Sequence, residues 1–376
     1  MDTSKVYFTD MRVKIGESLL IKLERLIGKA GIKEIGFKEK YVAIKIHFGE
    51  PGNLSFLRPN FAKTVADYIK KLGGMPFITD CNTLYVGRRN NALVHLEAAA
   101  ENGYSFLSTG CQNIIADGLR GTDDVEVPVK GGKYCKTAFI GRAIMDADIF
   151  ISLNHFKVHE VTGIGGAVKN IGMGSGSRAG KMIMHNDGKP AVNSKDCSGC
   201  KICGRFCAHK AICFDKDGKA SIDHKKCAGC GRCIGACGRH AIRNKWDSSN
   251  VSLSCKMAEY CKAVLDGRPH FHITVVNQVS PYCDCHNEND LAIVPDIGIF
   301  AGFDPVALDQ ACVDAVNAAP AIPGSIISER KNIPSYEKGG MDLFTGIHPT
   351  TNWRDQLAHA EKIGLGTTKY ELITVK

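Results

Sequence analysis

The chain has 376 residues, 44% hydrophobic and 23% charged, the make-up of a globular protein with room for two or three domains. It holds no run of about 18 apolar residues, and Met1 to Asp10 carries neither a basic nor an apolar leader region, so a helical membrane span and a secretory signal are excluded from this reading. Seventeen cysteines without a leader predict a reducing cytoplasm rather than a disulfide framework, and the formal charge of +9 comes with no basic-aromatic motif for nucleic acid.

In chain order, Tyr41 to Phe48 is an apolar, β-branched run that predicts a strand. Pro59 and Asn60 then open a helix with Phe61, Val65, Tyr68, Ile69 and Leu72 on one face, closed by Gly73 and Gly74. A strand from Met75 to Thr79, a helix from Asn91 to Asn102 and a strand from Asp148 to Leu153 continue a βαβ pattern. That pattern predicts an α/β fold with a mostly parallel sheet. Lys45 and His47 alternate onto one face at the end of the first strand, and Asp80, Asn82 and Thr83 end the second. Ligands of open α/β sheets collect at such carboxyl ends, although His47 as a strand cap and Asp80 as a turn former are the bland alternatives.

Residues 154–185 combine Asn154, His155, Lys157 and His159 with seven glycines between Gly163 and Gly180 and with Lys169, Asn170, Arg178, Lys181 and His185. Glycine lets backbone N–H groups approach an anion, so the stretch reads as a phosphate or carboxylate cradle. A mobile glycine-rich linker is the alternative. It is not a Walker loop, because Ser175 and Met182 stand where Gly and Ser/Thr are needed.

Next come two copies of one cysteine pattern: Cys197-x2-Cys200-x2-Cys203-x3-Cys207 and Cys227-x2-Cys230-x2-Cys233-x3-Cys237. This is the bacterial ferredoxin spacing, in which the fourth cysteine ligates the other cluster. It predicts two 4Fe–4S clusters, one on Cys197, Cys200, Cys203 and Cys237, the other on Cys227, Cys230, Cys233 and Cys207. Zinc uses Cys-x2-Cys pairs but does not need the third and fourth positions. The fourth cysteines are followed by Ala208 and Gly238, not the usual proline, which leaves the potential less predictable. Such clusters suggest an anaerobic or microaerobic host. Residues 194–243 hold eleven Lys and Arg against four Asp, a formal +7 that two clusters would reduce to about +3. The cations either balance cluster charge or form a docking face for an acidic electron carrier such as ferredoxin or flavodoxin.

Beyond the cysteine repeat, Phe271 to Val276 and Leu291 to Val294 read as strands, Asp304 and Pro305 start a helix carrying Val306, Cys312 and Val316, and Tyr370 to Val375 reads as an edge strand. Between them, Cys283, Cys285 and His286 could bind a soft metal or serve as redox thiols, with packing cysteines as the alternative. The other seven cysteines read as core or incidental thiols, whereas Asp296, Asp304 and Asp309 invite an acid/base reading, with Asp304 before Pro305 more simply a helix N-cap. The flanks of the cysteine repeat each lack a full set of strands. The repeat therefore reads as an insertion at 191–244 between two parts of one α/β domain, 1–190 and 245–376.

The stretches VAIKIHFGEPGN, ITDCNTLYVGRRNNALVHLEAA, NHFKVHEVTGIGGAVKNIGMG, PYCDCH and VPDIGIFAGFDPVALDQACVD resemble the family catalogued as domain of unknown function 362 (DUF362), specifically members with an inserted dicluster ferredoxin. The resemblance spans nearly the whole chain. It implies an α/β domain with an iron–sulfur insertion and leaves substrate and reaction open.

Function must then come from the residues. The expectation is a cytoplasmic redox protein that passes electrons from an acidic carrier through the clusters to the α/β domain. There Lys45, His47, Lys157, His159, Lys169, Asn170 and Lys181 would bind an anionic small molecule or cofactor, and Cys283, Cys285 and His286 would hold a further metal or act as thiols. His47, Lys157, His159, Cys283 and Cys285 are the catalytic candidates if it is an oxidoreductase. The alternatives are a non-enzymatic electron-transfer adaptor and a cluster or cofactor maturation protein.

Overall fold

Eight strands form the central sheet: Ser4–Asp10 (β1), Tyr41–Lys45 (β2), Met75–Asp80 (β3), Asn113–Ile115 (β4), Ile149–His155 (β5), His270–Val276 (β6), Gly298–Gly302 (β7) and Tyr370–Thr374 (β8). Their order is β8-β1-β7-β6-β5-β2-β3-β4. Every pairing is parallel except the two that β7 makes with β1 and β6. The computed structural model describes residues 3–85, 87–186, 189–227, 229–243 and 248–376.

Alternation along the strands divides the core. Val42 and Ile44 of β2, with Ile149, Ile151 and Leu153 of β5, face helices Leu19–Lys29 (α1) and Pro59–Lys71 (α2) through Leu23, Leu26, Phe61, Val65 and Ile69. Ala43 and Phe150 point the other way, toward helices Ala167–Ser175 (α3), Asn250–Leu265 (α4), Pro305–Ala318 (α5) and Trp353–Lys362 (α6). A sheet covered on both faces explains why all seven residues of β5 are buried. Pro59 at the first position of α2 and positive φ at Gly73 just past its end bound that helix as the sequence predicts. Asp304 caps α5 by accepting the N–H groups of Val306 at 2.8 Å and Ala307 at 3.1 Å.

Two readings change. Leu291 to Val294 is not a strand. Ile293 and Val294 are buried, but the Ile293 N–H goes to the Val279 carbonyl and its own carbonyl receives the Ile322 N–H, so no ladder partner is left. The glycine-rich stretch is neither loop nor linker. It forms α3 and a second helix, Arg178–Asn186 (α7).

Sheet strands lie on both sides of the cysteine repeat in sequence. The repeat closes on itself through two short antiparallel pairs, Ala191–Val192 with Ile242–Arg243 and Ile212–Phe214 with Ala220–Ile222. The expected end of the insertion at 244/245 lies outside the described residues.

Candidate functional site

From β2 the chain winds outward to β3 and β4, then returns to the other side of β2 as β5. The carboxyl ends of β2 and β5 therefore flank a topological switch point, where open α/β sheets leave a crevice. Asn170 of α3 closes the bottom of that crevice. Its amide nitrogen reaches the Asn154 side-chain oxygen at 2.7 Å and the Lys45 and Leu153 carbonyls at 3.3 Å each, while its oxygen accepts Lys45 Nζ at 2.7 Å.

Above it lies a cavity of about 800 Å³, lined among others by His47, Arg89, Lys157, His159, Glu160, Lys169, Lys181, His185, Cys285 and His286. Its floor is ionic. Lys45, fully buried, lies 2.9 Å from Asp80. Burial lowers the Lys45 pKa and works against ionised Asp80, but Lys45 and its neighbours still hold the Asp80 carboxyl well below the usual range. Arg89 pairs with Glu50 at 2.9 Å and lies 3.7 Å from Asp80. Burial, reinforced by Arg89, keeps His47 well below the ordinary imidazole value. Lys45, expected to meet an anion directly, is instead held beneath the cavity by Asp80 and Asn170.

The opposite wall is the turn Cys283–His286, closed by a hydrogen bond from the His286 N–H to the Cys283 carbonyl. Asp284 fastens it from below. Its carboxylate meets His155 Nδ1 and Lys157 Nζ, each at 2.9 Å, and its carbonyl accepts the Glu50 N–H at 2.9 Å. Cys283 is buried against Lys169 Nζ at 3.1 Å, while Cys285 and His286 line the cavity together with His47. A hydrogen bond from Cys285, opposed by burial and helped by Lys169 and His159, holds the Cys283 thiol well below its usual pKa, and the same bond raises that of Cys285. Burial opposes the Lys169 charge, but Cys283, Cys285 and Glu160 raise its pKa above the lysine norm. Glu160 accepts from His286 at 2.9 Å; burial would raise its carboxyl, yet His159 and His286 bring it to about 2.

His159, Cys283 and Cys285 bring ligand atoms within 4.8 Å of one another, as do Glu160, Cys285 and His286, sets that would allow a metal. Two buried lining atoms, Thr83 Oγ1 and Glu160 Oε2, have no hydrogen-bond partner among the described residues. Lys181 bonds the Gly176 carbonyl and has no carboxylate at ion-pair distance among them.

The glycines of α3 and α7 serve packing, not an amide cradle. A Cβ at Gly172 would run into the Met257 carbonyl of α4, one at Gly166 into the Asp309 carboxylate, and one at Gly174 into Lys45 Nζ. Asp309 also accepts the Ala167 N–H at 2.6 Å and the Val168 N–H at 2.9 Å, which anchors the start of α3. Close helix approach thus presents Lys169 to the cavity.

The cysteine repeat keeps its internal symmetry in space. Positive φ recurs at Gly199 and Gly229, at Lys201 and Gly231, and at Lys210 and His240. Left-handed backbone at three non-glycine residues costs on the order of 1–2 kcal/mol each, which a repeat fixed by other contacts can sustain. Cys197, Cys200, Cys203 and Cys237 line one small cavity; Cys207, Cys227, Cys230 and Cys233 line another. Backbone N–H groups of Ala211, Ala220 and Ala241 point at the sulfurs of Cys207, Cys197 and Cys237, at 3.3, 3.4 and 3.3 Å. Cys203 and Cys233 share an apolar cluster with Ile234, Met182 of α7 and Leu84, and Leu84 is also a wall of the large cavity. Arg178, buried, lies along Gly231, where a Cβ would approach its Cγ to 2.8 Å.

The family described as Domain of unknown function (DUF362) matches residues 42–314. The chain belongs to this family. The match begins at β2 and ends within α5, so it includes the switch point, both walls of the cavity and the cysteine repeat. No curated protein matches the sequence. Among solved structures, this DUF362 chain is similar to the lactate racemase apoprotein from Thermoanaerobacterium thermosaccharolyticum, at 12% identity and a TM-score of 0.39 over 68% of this chain and 48% of that one. It is also similar to a protein from Thermotoga maritima, at 12% identity and a TM-score of 0.33 over 73% of this chain and 55% of that one. The chain thus spans about half the length of either structure.

Of the residues singled out from sequence, His47, Lys157, His159, Lys169, Asn170, Lys181, Cys285 and His286 meet around the one cavity, with Cys283 just behind it. Sequence reasoning missed Glu50, Arg89, Glu160 and Asp284. Asp284 carried a signal, since it sits between two candidate cysteines. Arg89 carried none, because it stands beside Arg88 in a polar loop and nothing local separates the buried one from the exposed one until its carboxylates are placed.

Proposed function

We propose that this DUF362 protein is an iron–sulfur redox protein that takes electrons from an acidic carrier and delivers them to an anion bound in the switch-point cavity. Cys197, Cys200, Cys203 and Cys237 would hold one 4Fe–4S cluster and Cys207, Cys227, Cys230 and Cys233 the other, in a ferredoxin-like insertion. The fit rests on two four-thiol cavities of small volume and on amide N–H groups aimed at cysteine sulfur, which stabilise thiolate ligands. Such clusters supply one-electron transfer.

The observation that carries the reading is the shared wall. Leu84 packs in one apolar cluster with Cys233 and lines the large cavity. The cysteine module is therefore joined to the ligand site through packed side chains, not by a loose linker. Within the cavity, Lys169 and Lys181 attract the anion, His47 stays neutral, and the Lys45–Asp80 pair keeps the floor in place. Among the basic residues of the module, Lys201, Lys225, Lys226, Arg232 and Arg239 are exposed and available to a negatively charged carrier.

The test is anaerobic purification followed by iron and sulfide counting, EPR of the reduced protein and identification of retained small molecules. About eight irons per chain and two reducible clusters are expected. Stoichiometric zinc with no reducible signal would overturn the reading.

A further inference from the structure

The turn Cys283–His286 carries two thiols, and its surroundings choose between a metal and thiol chemistry. His159 Nδ1 accepts the N–H groups of Val161 at 3.0 Å and Thr162 at 3.2 Å. Nδ1 is thereby committed as an acceptor, so the proton of the neutral ring sits on Nε2, the nitrogen left for the thiols. A neutral histidine ligates through an unprotonated nitrogen, and this one is occupied. Lys169 then places an ammonium 3.1 Å from Cys283 Sγ, where it repels a divalent ion and stabilises a thiolate. The two sulfurs lie within 4.8 Å of each other, one buried and one opening on the cavity. Asp284, between them, is anchored by His155, Lys157 and the Glu50 N–H, so the turn is rigid.

We propose that Cys283 and Cys285 are a redox-active thiol pair that reduces a small anionic disulfide bound in the cavity. This deepens the proposed function and rests on it only for the source of electrons. In the resting pair Cys283 is the thiolate and Cys285 the thiol. The Cys285 proton passes along the hydrogen bond to Cys283, and the Cys285 sulfur attacks one sulfur of the substrate. The substrate S–S bond breaks, a mixed disulfide forms on Cys285, and the departing thiolate takes the proton back from Cys283. The Cys283 thiolate then attacks Cys285, closes an intrachain S–S bond and releases the second half as a thiolate. The pair loses two electrons and the substrate gains them. Two electrons and one proton, supplied by a one-electron carrier of the iron–sulfur class, restore the thiolate and thiol. Lys169 and Lys181 account for the preference for a negatively charged substrate, and a cavity of about 800 Å³ accommodates one of modest size.

The probe is oxidised glutathione, added to the full chain under anaerobic conditions, with acid quench, alkylation and peptide mass analysis. The expected result is release of glutathione and a Cys283–Cys285 disulfide, read as the loss of two hydrogens from their common peptide. Cys283→Ser should stop at glutathione attached to Cys285, and Cys285→Ser should abolish release. Iron content and circular dichroism of each variant confirm that the fold and the cysteine module are intact. Glutathione found only on the exposed Cys213, with the pair still alkylated, would overturn the proposal. So would a stoichiometric thiophilic metal in the wild type that is lost in Cys283→Ser. An inert pair in a protein with full iron sinks this inference alone, whereas a reactive pair in a protein without iron sinks the proposed function alone.

Discussion

Lys45 Nζ and Asp80 Oδ1 lie 2.9 Å apart at the ends of neighbouring parallel strands, both out of solvent. The pair forms the floor of the cavity and ties β2 to β3. Lys45→Met should leave Asp80 without its closest cation and lower unfolding free energy by about 3–5 kcal/mol, the range for breaking a buried ion pair from one side. Urea denaturation of the two proteins measures it; a loss below about 1 kcal/mol would mean that Arg89 compensates.

The same carboxylate sets an acid dependence. Burial pushes the Asp80 pKa up, but Lys45 and its neighbours bring it below the unfolded value of about 3.9. Its contribution is therefore fully present above about pH 4 and is lost as pH falls through the folded value. The stability gap between wild type and Asp80→Asn should be widest near pH 7 and should narrow below about pH 4. A gap that widens on acidification would contradict an ionised Asp80.

Gly172 lets α3 approach α4 until no Cβ fits against the Met257 carbonyl. Gly172→Ala should destabilise by about 1–3 kcal/mol or more, as overpacking does. Gly238, with nothing within 4 Å of where a Cβ would stand, should accept alanine at little cost. Thermal melts of both variants compare them directly.

Lys225, Lys226 and Arg232 are exposed on the cysteine module, and among the described residues only the Lys226 side-chain charge has a carboxylate at ion-pair distance, Asp223 at 3.6 Å. Reversing the three charges should slow reduction by an acidic ferredoxin, and the difference from wild type should shrink as salt rises, because screening acts over about 8 Å at physiological ionic strength. Stopped-flow reduction across a salt series checks this. Equal rates throughout would leave the cations the task of balancing charge within the module.

Arg178 is buried beside the second cysteine run, and Asp117 and Cys233 both favour its charge against the burial that lowers its pKa. A fixed cation there stabilises an added electron on whatever Cys233 holds. Arg178→Gln should lower the reduction potential of one cluster and leave the other within error, as read by EPR-monitored redox titration. Equal shifts in both would point to a general loosening of the module.

Parts of this architecture were legible before any fold existed. Helix α2 announced itself by an apolar face between a proline and two glycines, and the edge strand β8 by its β-branched run. The apolar run at Leu291 misled because burial and strand formation leave the same local signature, and only the destination of its backbone hydrogen bonds separates them. The glycines of α3 misled for a related reason. A missing Cβ permits either a backbone cradle or close helix packing, and the neighbour that decides, Met257, lies far along the chain.

By itself the sequence determined which cysteines of the repeat stand together, because tight loops and one internal repeat fix their spacing. It also determined the alternation that makes β2 and β5 core strands. Only the tertiary structure decided what the remaining polar residues do. Lys169 meets Cys283 across 114 positions and Lys45 meets Asn170 across 125, contacts that exist because the sheet reverses its order between β2 and β5. Neither residue type nor local spacing encodes that reversal; it follows from how the whole sheet buries both of its faces.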